Sequence, residues 1–501
     1  MSGKVKLIMA AVLCLGIVCT GIAALGGIVL KEAVHKNSFP SLSEQDVTEA
    51  VKLQLEEAYE GFEGWGTSIA WWGHALGGWE DQEKVRQVMD MLFDREKGIG
   101  LNIVRYNIGG GEKPGEHTLR PGGDVPGFQP EAGLWDWEAD ANQRYILQES
   151  LRRGVTIAEA FSNSPPYWMT VSGSVSGAED RGNNLRDDQY DAFADYLTEV
   201  VRHFRDEWGI TFRTLDPLNE PSSNWWRKGN IQEGCYFDLG KQGEIIRKVA
   251  ASLEQKGLNG TVVSANDDNS IDETLEALHA YDAATLEAIG QINTHSYNGS
   301  RMEELRAFAQ GSGKRLWMSE YGTGGSAPHH HEDMTSVMEL AQRIMFDLKM
   351  MKPAAWIYWQ AVEDEGADNN WGFIHANFTG EESYELTKQY YAMAQFSKFI
   401  APGSRIIPAD DGRVLAAYDA AAGQLTVVVR NELSDRKVTV DLSPFTYDAG
   451  AAQVEAYRTS GQHNLEPAAE LVELFTNGVT VPVDSESIVT VVISGVAPVA
   501  E

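Results

Sequence analysis

"FRTLDPLNEP", residues 212–221, shows the pattern from which the fold of this chain can be predicted: a short apolar run that ends in polar residues. Seven other stretches have a similar make-up: "GWGTSIAW", "LNIVRYNIGG", "TIAEAFSNSPP", "TVVSANDDN", "QINTHSY", "RLWMSEYG" and "AAWIYWQ". Segments with helical spacing of apolar residues lie between them, such as "DQYDAFADYLTEVVRHFRDEW". Eight successive strand–helix units predict an α/β protein built on a (β/α)8 TIM barrel.

A doubly wound open sheet is the alternative arrangement of alternating strands and helices. Such sheets bind nucleotides through a Gly-rich phosphate loop that follows the first strand. No loop of that type follows "GWGTSIAW", the first of the eight stretches. The barrel is therefore the preferred prediction.

The spacing of apolar residues changes after the helical segment "SYELTKQYYAMAQFSKFI". Short alternating runs follow at close intervals, separated by turn residues: "VLAAYDA", "QLTVVVRN", "KVTVDLS", "AQVEAYRTS", "GVTVPVD" and "SIVTVVISG". They predict a β-sandwich over residues 401–501, associated with a catalytic barrel over residues 59–400. "VKLQL" also alternates, so we expect residues 51–58 to add a strand to the same sandwich.

The first residues suggest export. "MSGKVK" is basic, and residues 7–30 that follow it carry no charge. This length exceeds the roughly 20 apolar residues that span a bilayer, so residues 1–30 are predicted to be a membrane anchor or signal segment. Residues 31–50 would form a polar linker. The basic start of the chain, with Lys4 and Lys6 before the apolar segment, predicts a catalytic domain outside the cytoplasm, either secreted or membrane-anchored.

Charge and cysteine content narrow the range of partners. The net charge of −32 disfavours nucleic acid and anionic membrane surfaces as partners, because both repel an acidic protein. A membrane is expected as a partner only through the N-terminal segment. Cys235 is the one cysteine outside that segment, so no disulfide can form within the body of the chain. We interpret Cys235 as a buried packing residue.

Two glutamates follow predicted strands on opposite sides of the barrel. Glu220 in "LNEP" and Glu320 in "SEYG" end the fourth and seventh stretches. Since catalytic residues of TIM barrels gather at the C-terminal ends of the strands, both carboxylates can face one cleft. Glycoside hydrolysis needs such a pair, one to protonate the leaving oxygen and one to attack the anomeric carbon or activate water. The alternative is that each glutamate caps a loop or pairs with a lysine.

Polar neighbours of this pair can also be predicted. Asn219 could donate its amide to a sugar hydroxyl, and Arg105 could keep the Glu320 carboxylate ionised. Pro221 disfavours a helical conformation at the residue before it, which predicts an extended Glu220.

Flat aromatic rings are expected around the cleft, because they pack against the apolar C–H faces of sugars. The complete set of predicted substrate-binding residues is Trp71, Trp72, Arg105, Asn107, Trp168, Asn219, Trp225, Trp226, His295, Tyr297 and Trp359.

Several of these motifs together resemble glycoside hydrolase family 30. They are the opening "GFEGWGTSIAWW", the "NEP" and "SEYG" strand ends and the trailing sandwich, and the resemblance covers nearly all the chain after about residue 50. It implies a retaining hydrolase with Glu220 as acid/base and Glu320 as nucleophile. "GTSIAWW" and "NWWRKGNIQEGC" are most similar to the endo-β-1,6-galactanases, which implies β-1,6-linked galactan of arabinogalactan side chains as the substrate.

Other functions stay open at this point. The same chemistry could act on β-1,6-glucan or glucuronoxylan, although a glucuronoxylanase would need a basic pocket and the loop "EDEGADNN" is acidic. A non-catalytic carbohydrate-binding protein is a further alternative. No cofactor and no metal are expected, because retaining glycosidases need none and the adjacent residues His329–His331 are poorly placed to converge on one ion.

Overall fold

A computed structural model describes residue 45 and residues 49–323, 334–367, 371–448 and 451–499. The predicted anchor or signal segment and the triple histidine lie outside these residues, and so does most of the predicted linker. In the described part of the chain, no helix combines the length and the apolar character needed to cross a membrane.

Eight parallel strands close into a barrel, after a two-residue strand β1 (Val51–Lys52). The barrel strands are β2 (Gly64–Ser68), β3 (Ile103–Asn107), β4 (Ile157–Phe161), β5 (Thr214–Asp216), β6 (Val262–Ser270), β7 (Ile289–Asn298), β8 (Arg315–Tyr321) and β9 (Ala355–Gln360). Each strand pairs with the next along the chain, and β9 closes the ring by pairing with β2. The predicted (β/α)8 barrel is confirmed.

Helices surround the barrel strands. They are α1 (Trp72–Gly77), α2 (Gln82–Phe93), α3 (Ala141–Arg152), α4 (Tyr190–Trp208), α5 (Leu239–Gln255), α6 (Ile271–Ala280), α7 (Ala283–Ala288), α8 (Met302–Ser312), α9 (Met334–Met350) and α10 (Lys388–Ser397). Helix α2 shows why such segments are helical. Asp81 caps its N-terminus by accepting hydrogen bonds from two backbone amides, and Val85, Val88, Met89 and Leu92 form one buried face.

The alternation of β3 separates two environments. Val104 and Tyr106 belong to the apolar core shared with the helices, whereas Ile103 packs with Trp317 and Ile357 in a small cluster of their own. Successive side chains of a strand point to opposite faces, so Arg105 lies on the same side as Ile103. Arg105 therefore lies on the inner face of the barrel, above the apolar cluster that contains Ile103.

A strand-rich region follows the barrel, as predicted. Its strands are β13 (Arg405–Pro408), β14 (Val414–Asp419), β15 (Gln424–Asn431), β16 (Arg436–Asp441), β17 (Phe445–Tyr447), β18 (Gln453–Ser460), β19 (His463–Pro467), β20 (Glu473–Phe475), β21 (Gly478–Val483), β22 (Ser487–Ser494) and β23 (Val496–Pro498). A separate three-stranded sheet of β10 (Val362–Asp364), β11 (Ile374–Ala376) and β12 (Tyr384–Leu386) lies between β9 and α10. The sandwich pairs a six-stranded sheet, β13-β14-β15-β22-β18-β19, with a four-stranded sheet, β1-β16-β21-β20. Strand β1 pairs in parallel with β16, so the chain contributes to the sandwich before it enters the barrel.

The sandwich packs on the barrel through an apolar interface. Ile488 and Val428 of the six-stranded sheet belong to the same core cluster as Phe396 of α10. Hydrogen bonds cross the interface beside them: the Thr490 hydroxyl donates to the carbonyl of Gln395 at 2.8 Å, and the Gln395 amide donates to Thr459 at 2.8 Å.

Candidate active site

Glu220 and Glu320 line one cavity at the C-terminal ends of the barrel strands. Its volume is about 290 Å³, near the lower end of the ~300–1,000 Å³ typical of ligand pockets. The lining residues are Trp71, Asn163, Asn219, Glu220, Gln232, Glu233, Asn269, Tyr297, Asn298, Glu320, Trp359 and Trp371. One carboxylate oxygen of Glu220, one of Glu320 and a ring nitrogen of His295 lie within 4.8 Å of one another. The two predicted carboxylates therefore do meet.

The backbone at Glu220 is not extended, which corrects the expectation based on Pro221. Strand β5 ends at Asp216, and Glu220 has a φ of +47°, in the left-handed region. Its amide donates to the carbonyl of Asp267 at 2.8 Å, and its carbonyl accepts a 2.9 Å hydrogen bond from the indole of Trp226. These tertiary hydrogen bonds outweigh the local preference of a residue before proline.

Three donors approach the Glu320 carboxylate. The Tyr297 hydroxyl donates to Oε1 at 3.2 Å, the Arg105 guanidinium lies 3.4 Å from Oε2, and His295 Nδ1 lies 3.6 Å from Oε1. Burial raises the pKa of Glu320 to about 7, and the negative charge of Glu220 adds to this, while His295 and Arg105 oppose the rise. The donors favour the ionised form of a carboxyl that burial alone would keep protonated.

His295 lies between the two glutamates. Its Nδ1 is 3.4 Å from Glu220 Oε1, and its Nε2 is 3.2 Å from Asp267 Oδ1. Burial lowers the pKa of His295, but the carboxylates of Glu320 and Asp267 outweigh burial and raise that pKa well above its usual value. Glu220, His295 and Glu320 have the spacing of a metal-ligand set, but an imidazolium held by carboxylates lacks the free nitrogen that a metal requires.

Arg105 lies beneath the carboxylates and does not reach the cavity. It is fully buried, and its guanidinium binds Glu159 Oε1 at 2.8 Å and the carboxylate of Asp267. The prediction that Arg105 contacts substrate is therefore wrong, because the side chain points into the barrel interior. Its proximity to Glu320 agrees with the predicted electrostatic contact.

A family model described as "O-Glycosyl hydrolase family 30" matches residues 48–301. The chain belongs to glycoside hydrolase family 30. It is therefore a glycosidase, and the facing carboxylates lie where such an enzyme needs them.

Known proteins similar to this glycosidase include an endo-β-1,6-galactanase of Hypocrea rufa. That protein is 32% identical over 76% of this chain and 81% of its own length. An exo-β-1,6-galactobiohydrolase of Bifidobacterium longum subsp. longum is 23% identical over 80% of this chain, but the match covers only 35% of that longer protein. Among solved structures, a conserved exported protein from Bacteroides fragilis superposes with a TM-score of 0.74 at 20% identity, covering 88% of this chain and all of that one.

The predicted tryptophans divide into two groups. Trp71 and Trp359 line the cavity of the glycosidase, with their rings edge to face at 5.0 Å. Trp72 is fully buried in the core, and its indole donates to the carbonyl of Ser68 at 2.8 Å. Trp71 has a φ of +64° and Trp72 begins α1, so the two neighbouring rings diverge. The prediction of Trp72 as a substrate contact is wrong.

A second tryptophan pair is separated in the same way. Trp226 is buried, its indole binds the Glu220 carbonyl, and its ring occupies the space that a side chain at Gly234 would need. It supports the loop and lies outside the cavity lining, so its prediction as a direct substrate contact is wrong. Trp225 is 43% exposed and lies outside the cavity lining. Trp168 also lies outside it, since its indole donates to the Gln129 carbonyl at 2.7 Å and its ring packs against the barrel core.

The predicted polar substrate contacts also fall into two groups, those at the cavity and one buried away from it. Asn219 and Tyr297 line the cavity, and His295 is buried beside it. Asn107 is fully buried, with its side-chain amide donating to Glu233 Oε2 at 3.0 Å, so its prediction as a direct substrate contact is wrong.

Other residues of the site were missed. Asn269 donates to Glu220 Oε1 at 2.7 Å, and Asp267 binds both Arg105 and His295. The signal for both was the polar run "NDDN" at the end of the fifth barrel strand, in the same position as the runs that hold the glutamates.

Proposed function

We propose that this glycosidase hydrolyses β-1,6-linked galactan of the type found in arabinogalactan side chains, with retention through a covalent glycosyl-enzyme intermediate. The distance of less than 4.8 Å between oxygens of Glu220 and Glu320 carries the mechanistic part. Retaining enzymes hold their two carboxyl groups about 5–5.5 Å apart, whereas inverting enzymes need about 6.5–9.5 Å to admit a water. A separation this short favours direct attack on the anomeric carbon.

Glu320 is the nucleophile in this mechanism. An oxygen of its carboxylate attacks the anomeric carbon as the bond from that carbon to the leaving oxygen breaks. Tyr297 and the cationic Arg105 and His295 stabilise the ionised form that attack requires. The same contacts stabilise the carboxylate when it leaves in the second step.

Glu220 is the acid/base. It transfers its proton to the leaving oxygen in the first step, then takes a proton from the water that attacks the anomeric carbon from the face the leaving group occupied. The 2.7 Å hydrogen bond from Asn269 orients the carboxyl, and the left-handed backbone at Glu220 is held by Asp267 and Trp226. Two inversions give net retention.

The residues that line the cavity favour a neutral, flexible glycan as the substrate. Trp71 and Trp359 offer ring faces, and amide side chains at Asn163, Asn219 and Asn298 can pair with hydroxyls. A 1,6 linkage adds a rotatable bond, so aromatic walls are useful to restrain each ring. The described residues that line the cavity include no lysine or arginine, which disfavours the acidic substituent of glucuronoxylan. The 32% identity to an endo-β-1,6-galactanase favours galactan over glucan.

The substrate proposal is tested by comparing kcat/KM on β-1,6-galactan, β-1,6-glucan and glucuronoxylan in parallel, with the Glu320→Gln variant from the same purification as the control for contaminating activity. We expect the galactan to be cleaved fastest. Faster cleavage of the glucan or the glucuronoxylan would overturn the galactan proposal and leave the mechanism intact. Binding without cleavage of any of the three would overturn both.

A further inference from the structure

Glu233 is a buried carboxyl in the cavity wall that the mechanism does not use. It lies in the loop between Glu220 and α5 and is 2% exposed, yet it lines the same cavity as the two catalytic glutamates. Its Oε1 accepts a hydrogen bond from the amide of Gly110 at 2.8 Å, and its Oε2 accepts one from the side chain of Asn107 at 3.0 Å.

These two donors are themselves held in place. The backbone of Asn107 exchanges two hydrogen bonds with the Gln143 side chain, at 3.1 and 3.0 Å. Asn107 Oδ1 accepts a hydrogen bond from the backbone amide of Asn163 at 3.4 Å, so the side-chain NH2 group of Asn107 must face Glu233. A side chain at Gly109 would approach the carbonyl of Val125 to 2.3 Å, so glycine is required for the turn that presents the Gly110 amide. The carboxyl is therefore preorganised.

No described lysine, arginine or histidine forms an ion pair with Glu233. Burial raises the pKa of this carboxyl to about 8, although the Asn107 amide and the backbone amides of Gly110 and Gly111 oppose the rise. Burying a carboxyl without a cation is costly, and an apolar side chain would avoid that cost. The two protein donors use only part of the hydrogen-bonding capacity of the carboxyl, so Glu233 can still accept from a hydroxyl or, when protonated, donate to one.

We propose that Glu233 is a substrate-binding residue that forms hydrogen bonds with ring hydroxyls of the sugar in the catalytic cavity and thereby selects that sugar. This inference rests on the proposed function of the site. A site that is built to pair with a hydroxyl strongly rejects a sugar that lacks it or carries it in another orientation, because the buried partner is then left unsatisfied. Glu233 supplies that kind of partner.

The competing role is mechanical. Glu233 could brace only the loop of residues 109–111 against Asn107, and its removal would then slow every substrate by the same factor. The two roles differ in a thermodynamic cycle. A direct contact makes the loss from changing Glu233 depend on which hydroxyl the substrate carries, whereas a brace does not.

The experiment measures kcat/KM of the wild type and the Glu233→Gln variant on aryl β-1,6-galactobiosides with the 2-, 3- or 4-hydroxyl of the aryl-linked ring removed in turn. For at least one position we expect the wild type to lose about 10- to 100-fold on deoxygenation, because the buried carboxyl is left without its partner, and the variant to lose less than about 3-fold. Additive losses at all three positions would overturn the proposal.

Glu382→Gln is the matched control. Glu382 also holds two amides, those of Glu80 and Asp81, at 2.6 and 2.8 Å, but it lies outside the cavity lining. It should show additive losses throughout. If Glu233→Gln fails to fold by thermal melting, Glu233→Asp is used in the same cycle, since it keeps the carboxyl and withdraws it from the sugar.

The test of Glu233 gives a result whether or not the galactan proposal is correct. If the wild type cleaves gluco- or xylo-configured substrates faster, the galactan proposal is wrong, and the cycle is run on deoxy analogues of the preferred sugar. Non-additivity there would still support direct binding by Glu233, and additive losses would still overturn it.

Discussion

The cavity floor and the interface between barrel and sandwich are equally buried but opposite in chemistry. Arg105, Asp267 and His295 on the floor are fully buried ionisable groups that contact one another and the glutamates Glu220 and Glu320. Ile488 and Phe396 at the interface are equally buried and are apolar. Burying charge costs stability even when the charges are paired, while burying apolar surface supplies it. The apolar interface therefore contributes stability that offsets the cost of burying ionisable groups on the cavity floor.

Substitution of Glu320, the proposed nucleophile, should give the largest kinetic effect. Glu320→Gln keeps the shape of the side chain but cannot form a glycosyl intermediate, so turnover should fall by on the order of 10⁴-fold or more. The melting temperature should not fall, because Arg105 keeps its bonds to Glu159 and Asp267. Initial rates and thermal melts of both proteins measure this. A variant with a tenth or more of the wild-type rate would contradict the role of Glu320.

Substitution of Glu220, the proposed acid/base, should reduce the rate less, and the reduction should depend on the substrate. Glu220→Ala should slow hydrolysis of natural glycosides by about 10²- to 10⁴-fold, and aryl glycosides with good leaving groups should suffer less because they need little protonation. Azide should restore the rate by attacking the intermediate and should yield a β-glycosyl azide. Isolation of an α-azide would exchange the roles of the two glutamates.

A substitution at the interface should lower the free energy of unfolding and leave kcat of the folded enzyme unchanged. Ile488→Ala removes buried apolar volume, so the free energy of unfolding should fall by about 2–5 kcal/mol, with kcat of the folded enzyme unchanged. Denaturant unfolding and active-site-normalised rates measure the two quantities. Leu433→Ala is the control, since Leu433 is 56% exposed and should change little. A fall in kcat at full folding would show that the interface shapes the site.

A smaller effect is expected from the hydroxyl of Tyr297. This group donates to Glu320 and favours its ionised form, so Tyr297→Phe should raise the pKa of Glu320. Because Glu320 must be ionised to attack, the acid limb of the kcat/KM profile should move to higher pH, by about one unit. Burial places that limb near the pKa of about 7 in the wild type. A profile that moves to lower pH would show that Tyr297 does not stabilise the carboxylate.

The same two regions show what could be predicted from sequence. The sandwich strands and the barrel follow from alternation and helical spacing, because the burial of apolar side chains leaves a periodic pattern. Glu220 and Glu320 could be found because they end their stretches with polar neighbours. The failures at Trp72 and Trp226 come from paired residues whose rings diverge, which periodicity does not resolve. Asp267 could have been found from the polar run "NDDN" that ends its strand. Glu233 acts through hydrogen bonds from Asn107 and Gly110, which are distant in sequence, and no local pattern reports such contacts.

The stereochemistry of the first product tests the central claim most directly. Hydrolysis of a β-1,6-galacto-oligosaccharide, or of the preferred β-glycan if another is cleaved faster, is followed by proton NMR before mutarotation. The distance of less than 4.8 Å between an oxygen of Glu220 and an oxygen of Glu320 predicts that the β-anomer of the new reducing end forms first. Initial release of the α-anomer would contradict the retaining mechanism and the assignment of Glu320 as nucleophile.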